Sequence, residues 1–201
     1  MDPNALVLQY LSEAHATESA LVTNLTAHIA MTSDAQYEKV LRRHLDETKA
    51  QVKNIDERRS ELGADGGKGF VAGAVGLAMD AVGQVLVLTK GPIDAVRTIS
   101  QQERMLKNAR DECATEAIEI ALYDALEAAA DAAGDTKTAK LAVDHRKQEE
   151  RMLADLRKQI GRLAVATYES KTGEKAKAKA STAKSSSSRS TSRGRSTASK
   201  P

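Results

Sequence analysis

Residues 36–62 read QYEKVLRRHLDETKAQVKNIDERRSEL. Tyr37, Val40, Leu41, Leu45, Val52, Ile55 and Leu62 recur with the 3.6-residue period of an amphipathic helix. Gly63 follows where a helix prefers to stop, and Asp65-Gly66-Gly67 reads as a turn. A helix from Gln36 to Leu62 would be roughly 40 Å long at about 1.5 Å per residue. One with a single apolar face is stable only when other helices cover that face. The stretch therefore predicts a helical bundle. It also holds an anomaly: between Leu41 and Ile55 the stripe is interrupted by His44, Glu47 and Gln51 at three- and four-residue steps, on the side that should be buried.

The pattern extends in both directions. Upstream, Pro3 and Asn4 open a helix whose stripe is Val7, Leu8, Leu11, Ala14, Leu21, Val22, Leu25 and Ile29; Thr32-Ser33-Asp34 ends it and caps the next. Downstream, one helix is expected from Gln101 to Ala133, stopped by Gly134-Asp135, and another from Thr138 to Tyr168 with Ala139, Ala142, Val143, Leu153, Leu156, Ile160, Leu163 and Ala164 on its stripe. Between the pairs, Gly69 to Arg97 keeps helical spacing despite four glycines and breaks at Gly91-Pro92, as a crossover helix would. Two helix pairs joined by one long connection give an all-α, ferritin-like four-helix bundle over residues 1–168. From Glu169 the stripe is lost, and the serine-, lysine- and arginine-rich residues 169–201 read as a disordered tail.

Composition agrees. Aromatic residues make up 2% of the 201, with no Trp, so the material of strands is scarce. The single Cys113 excludes an internal disulfide and reads as a small packing residue. The start, Met1-Asp2-Pro3-Asn4, has no basic, apolar leader pattern, and charged residues interrupt the apolar 69–96 stretch, so a soluble, cytoplasmic chain without a membrane span is expected. No glycine loop has phosphate-binding spacing, and no cysteine pattern or nucleophile signature is present.

Chemistry is expected where polar residues interrupt the stripes. Glu18 lies between Ala14 and Leu21 on the first helix, with His15 one turn before it; His44 and Glu47 lie on the second; Glu149 lies between Ala142 and Leu153 on the fourth. Buried carboxylates are costly unless paired, protonated or metal-bound. The third helix is less decisive. Glu112, Glu116, Asp124, Glu127 and Asp131 read as a solvated face, with Ile118, Leu122, Ala125 and Ala129 opposite; Glu119 lies on the shoulder between. His28 reads as a partner of the first helix's C-terminal dipole and His145 as an exposed edge residue.

The segments ATESAL (16–21), HLDET (44–48) with Gln51-Val52, IEIALY (118–123) and QEE (148–150) resemble those of the YciE/YciF family of ferritin-like bacterial stress proteins, across about residues 5–165. The resemblance implies a bundle that pairs as a homodimer and carboxylates that hold a divalent metal, iron first. Carried over position by position, it points to Glu18, Glu47, Glu119 and Glu149; from the stripes, at most His15 or His44 adds a nitrogen ligand, and ferroxidase-like activity stays open. This chain departs from the family in having Ala117-Ile118 before the third-helix glutamate and Met152-Leu153 one turn after Glu149, and it has no Glu-x-x-His step on the second or fourth helix. The alternative is a metal-free bundle, its glutamates hydrogen-bonded to His44, Gln51 and Tyr123, that recruits a partner through the tail or the Gly69–Arg97 segment.

Charge is unevenly placed. Residues 171–201 hold nine lysines and arginines against Glu174 alone, a net +8, which leaves −6 for residues 1–170 of a chain whose total is +2. A basic tail without aromatic residues attracts phosphate backbones without reading bases. Duplex DNA binding is therefore expected to depend on this tail. If about five basic groups engage, log affinity should fall with log salt at a slope of about −4 to −5. Fluorescence titrations of the full chain and of a truncation ending at Ser170 check this; equal binding by the two would assign the contact elsewhere.

Overall fold

The computed structural model describes residues 3–64 and 99–177. They form four helices: α1 (Pro3–Met31), α2 (Ala35–Glu61), α3 (Gln101–Ala133) and α4 (Thr136–Thr172). No strand occurs among the described residues, as the sequence predicted. The expected crossover at 69–97 and the tail from 178 onward lie outside them. Among the described residues, no helix is long and apolar enough to cross a membrane. The helices form two antiparallel hairpins, α1–α2 and α3–α4. The bundle closes where α1 packs on α3 and α2 on α4.

The ends of the helices follow local chemistry. Asp34 caps α2 by accepting from the Tyr37 N–H at 2.8 Å, Asp135 caps α4 by accepting from the Thr138 N–H at 3.0 Å, and Ser100 caps α3 by accepting from the Glu103 N–H at 3.2 Å. Gly134 ends α3 with φ near 73°, a left-handed conformation that glycine adopts without strain. Gly173 does the same for α4, so that helix runs past Tyr168 into what the sequence assigned to the tail. Every residue from Glu169 to Thr172 tolerates a helix, and Gly173 is the first to offer a stop.

The two capping aspartates have a second use. Arg162 of α4 forms a fork with the carboxylate of Asp34 in the other hairpin, and Arg58 of α2 donates at 2.7 and 2.8 Å to that of Asp135. Each hairpin thus holds the turn of the other: Arg162 through a two-nitrogen fork, which fixes angle as well as distance, and Arg58 through Nη2 shared between both oxygens.

The core lies in two apolar clusters. One gathers Leu21, Leu25, Tyr37, Leu41, Met105, Ala109, Met152, Leu156 and Leu163. The other gathers Val7, Leu11, Ala14, Ile55, Tyr123, Leu126 and Ala142. On every helix the residues between the clusters are polar and buried: Glu18 on α1; His44, Thr48 and Gln51 on α2; Glu112, Glu116 and Glu119 on α3; His145 and Glu149 on α4. Cys113 packs half-buried against the first cluster, as expected of a small apolar residue.

Helix α3 corrects the sequence reading. Its buried row is Met105, Ala109, Glu112, Glu116, Glu119, Tyr123, Leu126 and Ala130. Glu112 and Glu116, read as solvated, face the core, while Ile118 is 38% exposed. The row steps by four and three throughout, a heptad seam whose middle is acidic. Alanines on all sides left this helix without a dominant apolar face, so its three neighbours decide which side is covered. His145 is corrected likewise: it is buried, with its ring edge-on to Tyr123.

Glu112 is tied on both oxygens. His28 Nδ1 lies 2.6 Å from Oε1, and the Tyr37 hydroxyl donates to Oε2 at 2.7 Å. His28, besides lying in the last turn of α1, therefore joins α1 to α3, and Tyr37 joins α2 to the same carboxylate. Glu112→Ala should leave the buried Tyr37 hydroxyl without an acceptor and cost about 1–3 kcal/mol. Ile118→Ser should stay within about 0.5 kcal/mol. Urea unfolding of the two variants checks the orientation of α3, and the reverse ranking would refute it.

Candidate metal centre

The polar layer exists because each helix interrupts its apolar row at the same height. Burial raises the carboxyl groups of Glu18, Glu116 and Glu119 well above the ordinary carboxylate range, and the neighbouring carboxylates raise them further. Burial pushes Glu149 up to about 7. Burial, with a smaller effect from the Arg43 charge, holds His44 down to about 3, so its imidazole is neutral and able to act as a ligand.

His44, Glu116 and Glu149 each present one ligand atom, and the three atoms lie within 4.8 Å of one another. His44 Nε2 is 3.0 Å from Glu116 Oε1. Gln51 donates from Nε2 to Glu149 Oε1, and the Tyr123 hydroxyl donates to Glu18 Oε1. Behind Tyr123, His145 Nδ1 lies 3.1 Å from the hydroxyl, and His145 Nε2 lies 3.3 Å from Asn54 Nδ2. With Tyr123 donating to Glu18, His145 supplies the Nδ1 proton and accepts at Nε2. The row of donors Asn54, His145, Tyr123 therefore points inward. Glu116 is also hydrogen-bonded to Glu149, whereas Glu18 Oε2, both oxygens of Glu119 and His44 Nδ1 have no hydrogen-bond partner.

The six residues singled out in the sequence divide as follows. His44 and Glu149 belong to the triad. Glu18 and Glu119 are buried in the same layer. Glu47 is half-buried, near enough for its charge to raise the Glu149 carboxyl, and it lines a small surface cavity. His15 is half-buried with Nε2 3.1 Å from Asp56 Oδ1, and it is not part of the triad. Glu116 was missed as a candidate. Its signal was present in the unbroken alternation of four- and three-residue steps from Met105 to Ala130.

The sequence profile of the family described as "Domain of unknown function (DUF892)" matches residues 3–169. The chain belongs to that family. The DUF892 bundle described here is similar to a solved protein of Xanthomonas campestris pv. campestris, at 20% identity and a TM-score of 0.64, over 85% of this chain and 99% of that one. It is similar to the E. coli stress protein YciF, at 20% identity and a TM-score of 0.60, over 81% of this chain and 96% of that one. It is also similar to YcfI of Rhodopseudomonas palustris, at 19% identity and a TM-score of 0.60, over 78% and 94% of the two chains. At these identities the likeness is one of fold. A search of curated proteins found no match. The family match and the YciF-like fold bear out the resemblance to the YciE/YciF family.

The layer gives the metal-free DUF892 protein a definite pH response. Glu149 and its neighbours bind protons more tightly folded than unfolded, so their contribution to stability is present below the unfolded value near 4.5 and is lost as pH rises through 7 and above. The depressed His44 and His145 act oppositely, but that contribution is complete above their ordinary value of 6.5. From pH 6.5 to 9 the carboxyl effect leads, at up to about 1.4 kcal/mol per unit of pH for each group titrating, and the half-buried Cys113 thiol, held above its ordinary value, acts in the same direction toward pH 9. The melting temperature of chelator-treated protein should fall steadily across that range. A flat or rising profile would contradict the burial of this layer.

Proposed function

We infer that this protein is a ferritin-like, stress-associated metal binder that holds a divalent cation, iron first, between its four helices. The observation that carries this reading is the crowding of His44, Glu116 and Glu149, with ligand atoms within 4.8 Å of one another, in a layer where Glu18 and Glu119 hold buried acceptors without partners. Two ionised carboxylates about 4 Å apart repel by about 4 kcal/mol at an effective dielectric constant of about 20. Several can be ionised together only if a cation sits among them. The residues fit such an ion. Carboxylate oxygens with one neutral imidazole suit Fe²⁺ or Mn²⁺ better than an all-oxygen calcium cage or a sulfur-rich zinc site would. His44, Glu116 and Glu149 are the nearest ligands, with Glu18 and Glu119 within the layer.

This chain's own residues set the conditions for binding. Gln51 and Tyr123 each hold one carboxylate oxygen, so Glu149 and Glu18 are oriented before any ion arrives. Burial in the apolar sleeve keeps water from competing for the ligands. A bound iron would supply redox chemistry there, and keeping that iron away from other cell components would limit oxidative damage. The basic residues 171–201 would hold the bundle near nucleic acid, and a second copy would pair with it as a homodimer. The metal-free alternative finds support in the same two hydrogen bonds, from Gln51 and Tyr123, and in the bond between Glu116 and Glu149, but it leaves both oxygens of Glu119 without partners.

Protein purified without chelator should take up Fe²⁺ anaerobically, and Mn²⁺ or Co²⁺ in its place. At a free concentration of about a hundred times Kd the ion should stabilise the fold by about 2.7 kcal/mol. Glu116→Ala should abolish uptake and the thermal shift together. Metal analysis after dialysis, read beside melting curves, checks both. No uptake by the unaltered chain at millimolar cation would remove the metal reading in favour of the metal-free bundle.

A further inference from the structure

His44, Glu116 and Glu149 are each almost wholly buried, so an ion arriving from water must cross a wall of the bundle. Two surface cavities open on the seam between α2 and α4. The larger, of about 470 Å³, has His145 and Gln148 on its lining and three carboxylates toward solvent, Glu57, Glu61 and Asp144. Each of these is already matched with a cation: Glu57 with Lys53, Glu61 with Lys137 and Arg58, Asp144 with Lys140. His145, between this cavity and the layer, is engaged with Asn54 and Tyr123.

The smaller cavity, of about 140 Å³, is lined by Arg43, Glu47, Arg151, Met152 and Asp155. Its position follows from helical spacing. Glu47 is one turn after His44, and Met152 is one turn after Glu149, so the cavity lies over two members of the triad. Arg43 and Asp155 pair with each other across the seam. Glu47 makes no ion pair among the described residues, and its charge reaches Glu149. Met152, an unbranched and adaptable side chain, is the buried member of the lining.

We propose that divalent cations reach the buried His44–Glu116–Glu149 triad through this cavity, with Glu47 as the carboxylate that takes the ion from water and Met152 as the flap it passes. The proposal rests on the metal reading above and adds a route and a role to it. Glu47 is then a relay and not a resident ligand. A relay stabilises the passing ion and therefore speeds arrival and departure equally, whereas a resident ligand holds the bound ion and slows only its departure. Arg151, exposed on the rim, opposes the incoming charge.

The test uses Co²⁺ with the full chain, following its visible absorption after rapid mixing and again after a chelator chase. Glu47→Gln should slow association about tenfold, the lower end of what charge steering supplies. It should slow dissociation by the same factor, leaving the ratio of the two rates within about twofold of the unaltered chain. Arg151→Gln should speed both rates. Glu57→Gln, in the other cavity, should change neither. Faster dissociation in Glu47→Gln would make Glu47 a resident ligand and overturn the relay. So would unchanged rates in that variant, or slowing by Glu57→Gln, which would move the route to the larger cavity. Absence of any Co²⁺ uptake by the unaltered chain would remove the metal centre itself, and the route with it. Uptake with unaffected rates would remove the route alone.

Discussion

Carboxyl groups that cannot all ionise together are buried at one height of this bundle, and the rest of the structure is arranged around that constraint. Glu18, Glu116, Glu119 and Glu149 come from three helices, and Glu116 and Glu149 meet His44 from the fourth. An apolar filling at this level would be the ordinary solution for a bundle core. The two hydrophobic clusters instead stop on either side of the layer and seal it. The consequence is a fold whose stability is tied to the protonation of its own centre or to a cation within it.

Such a layer functions only if four helices keep a common register, since a slip of one turn moves a side chain by about 5.4 Å. The reciprocal pairs, Arg162 with Asp34 and Arg58 with Asp135, act on this point. Each joins the cap of one hairpin to the second helix of the other, one pair near each end of the bundle. The Glu112, His28 and Tyr37 network adds a third tie, between the polar layer and the α1–α2 turn. The polar groups outside the candidate centre thus hold its geometry, while the apolar clusters supply the driving force to collapse.

The site was partly legible. On α1, α2 and α4 a strong apolar stripe makes an intruding charge conspicuous, and the burial of Glu18, His44 and Glu149 was read in that way. On α3 the same logic failed. Alanine and glutamate are spread around the whole helix, so Glu116 looked no more intrusive than Asp124. Glu47 shows the opposite difficulty. It shares α2's polar interruption with His44, but three residues turn a helix by about 300°, enough to carry it from the buried layer to the cavity beside it. His145 was misplaced because a polar residue at a stripe's margin is ambiguous until its partners, Tyr123 and Asn54, are known.

The four helices of the described residues, their approximate limits and the presence of buried polar groups at mid-height were determined by the sequence itself. Periodicity, caps and glycine stops are local, and they act through residues no more than a turn or two apart. Which face of α3 is covered, which glutamates meet His44, and which of them stay at the wall were decided only by the tertiary structure. The helical period dictates which residues share a face. It does not dictate which face is buried when the apolar material is evenly spread, because that choice belongs to the three helices packed around it.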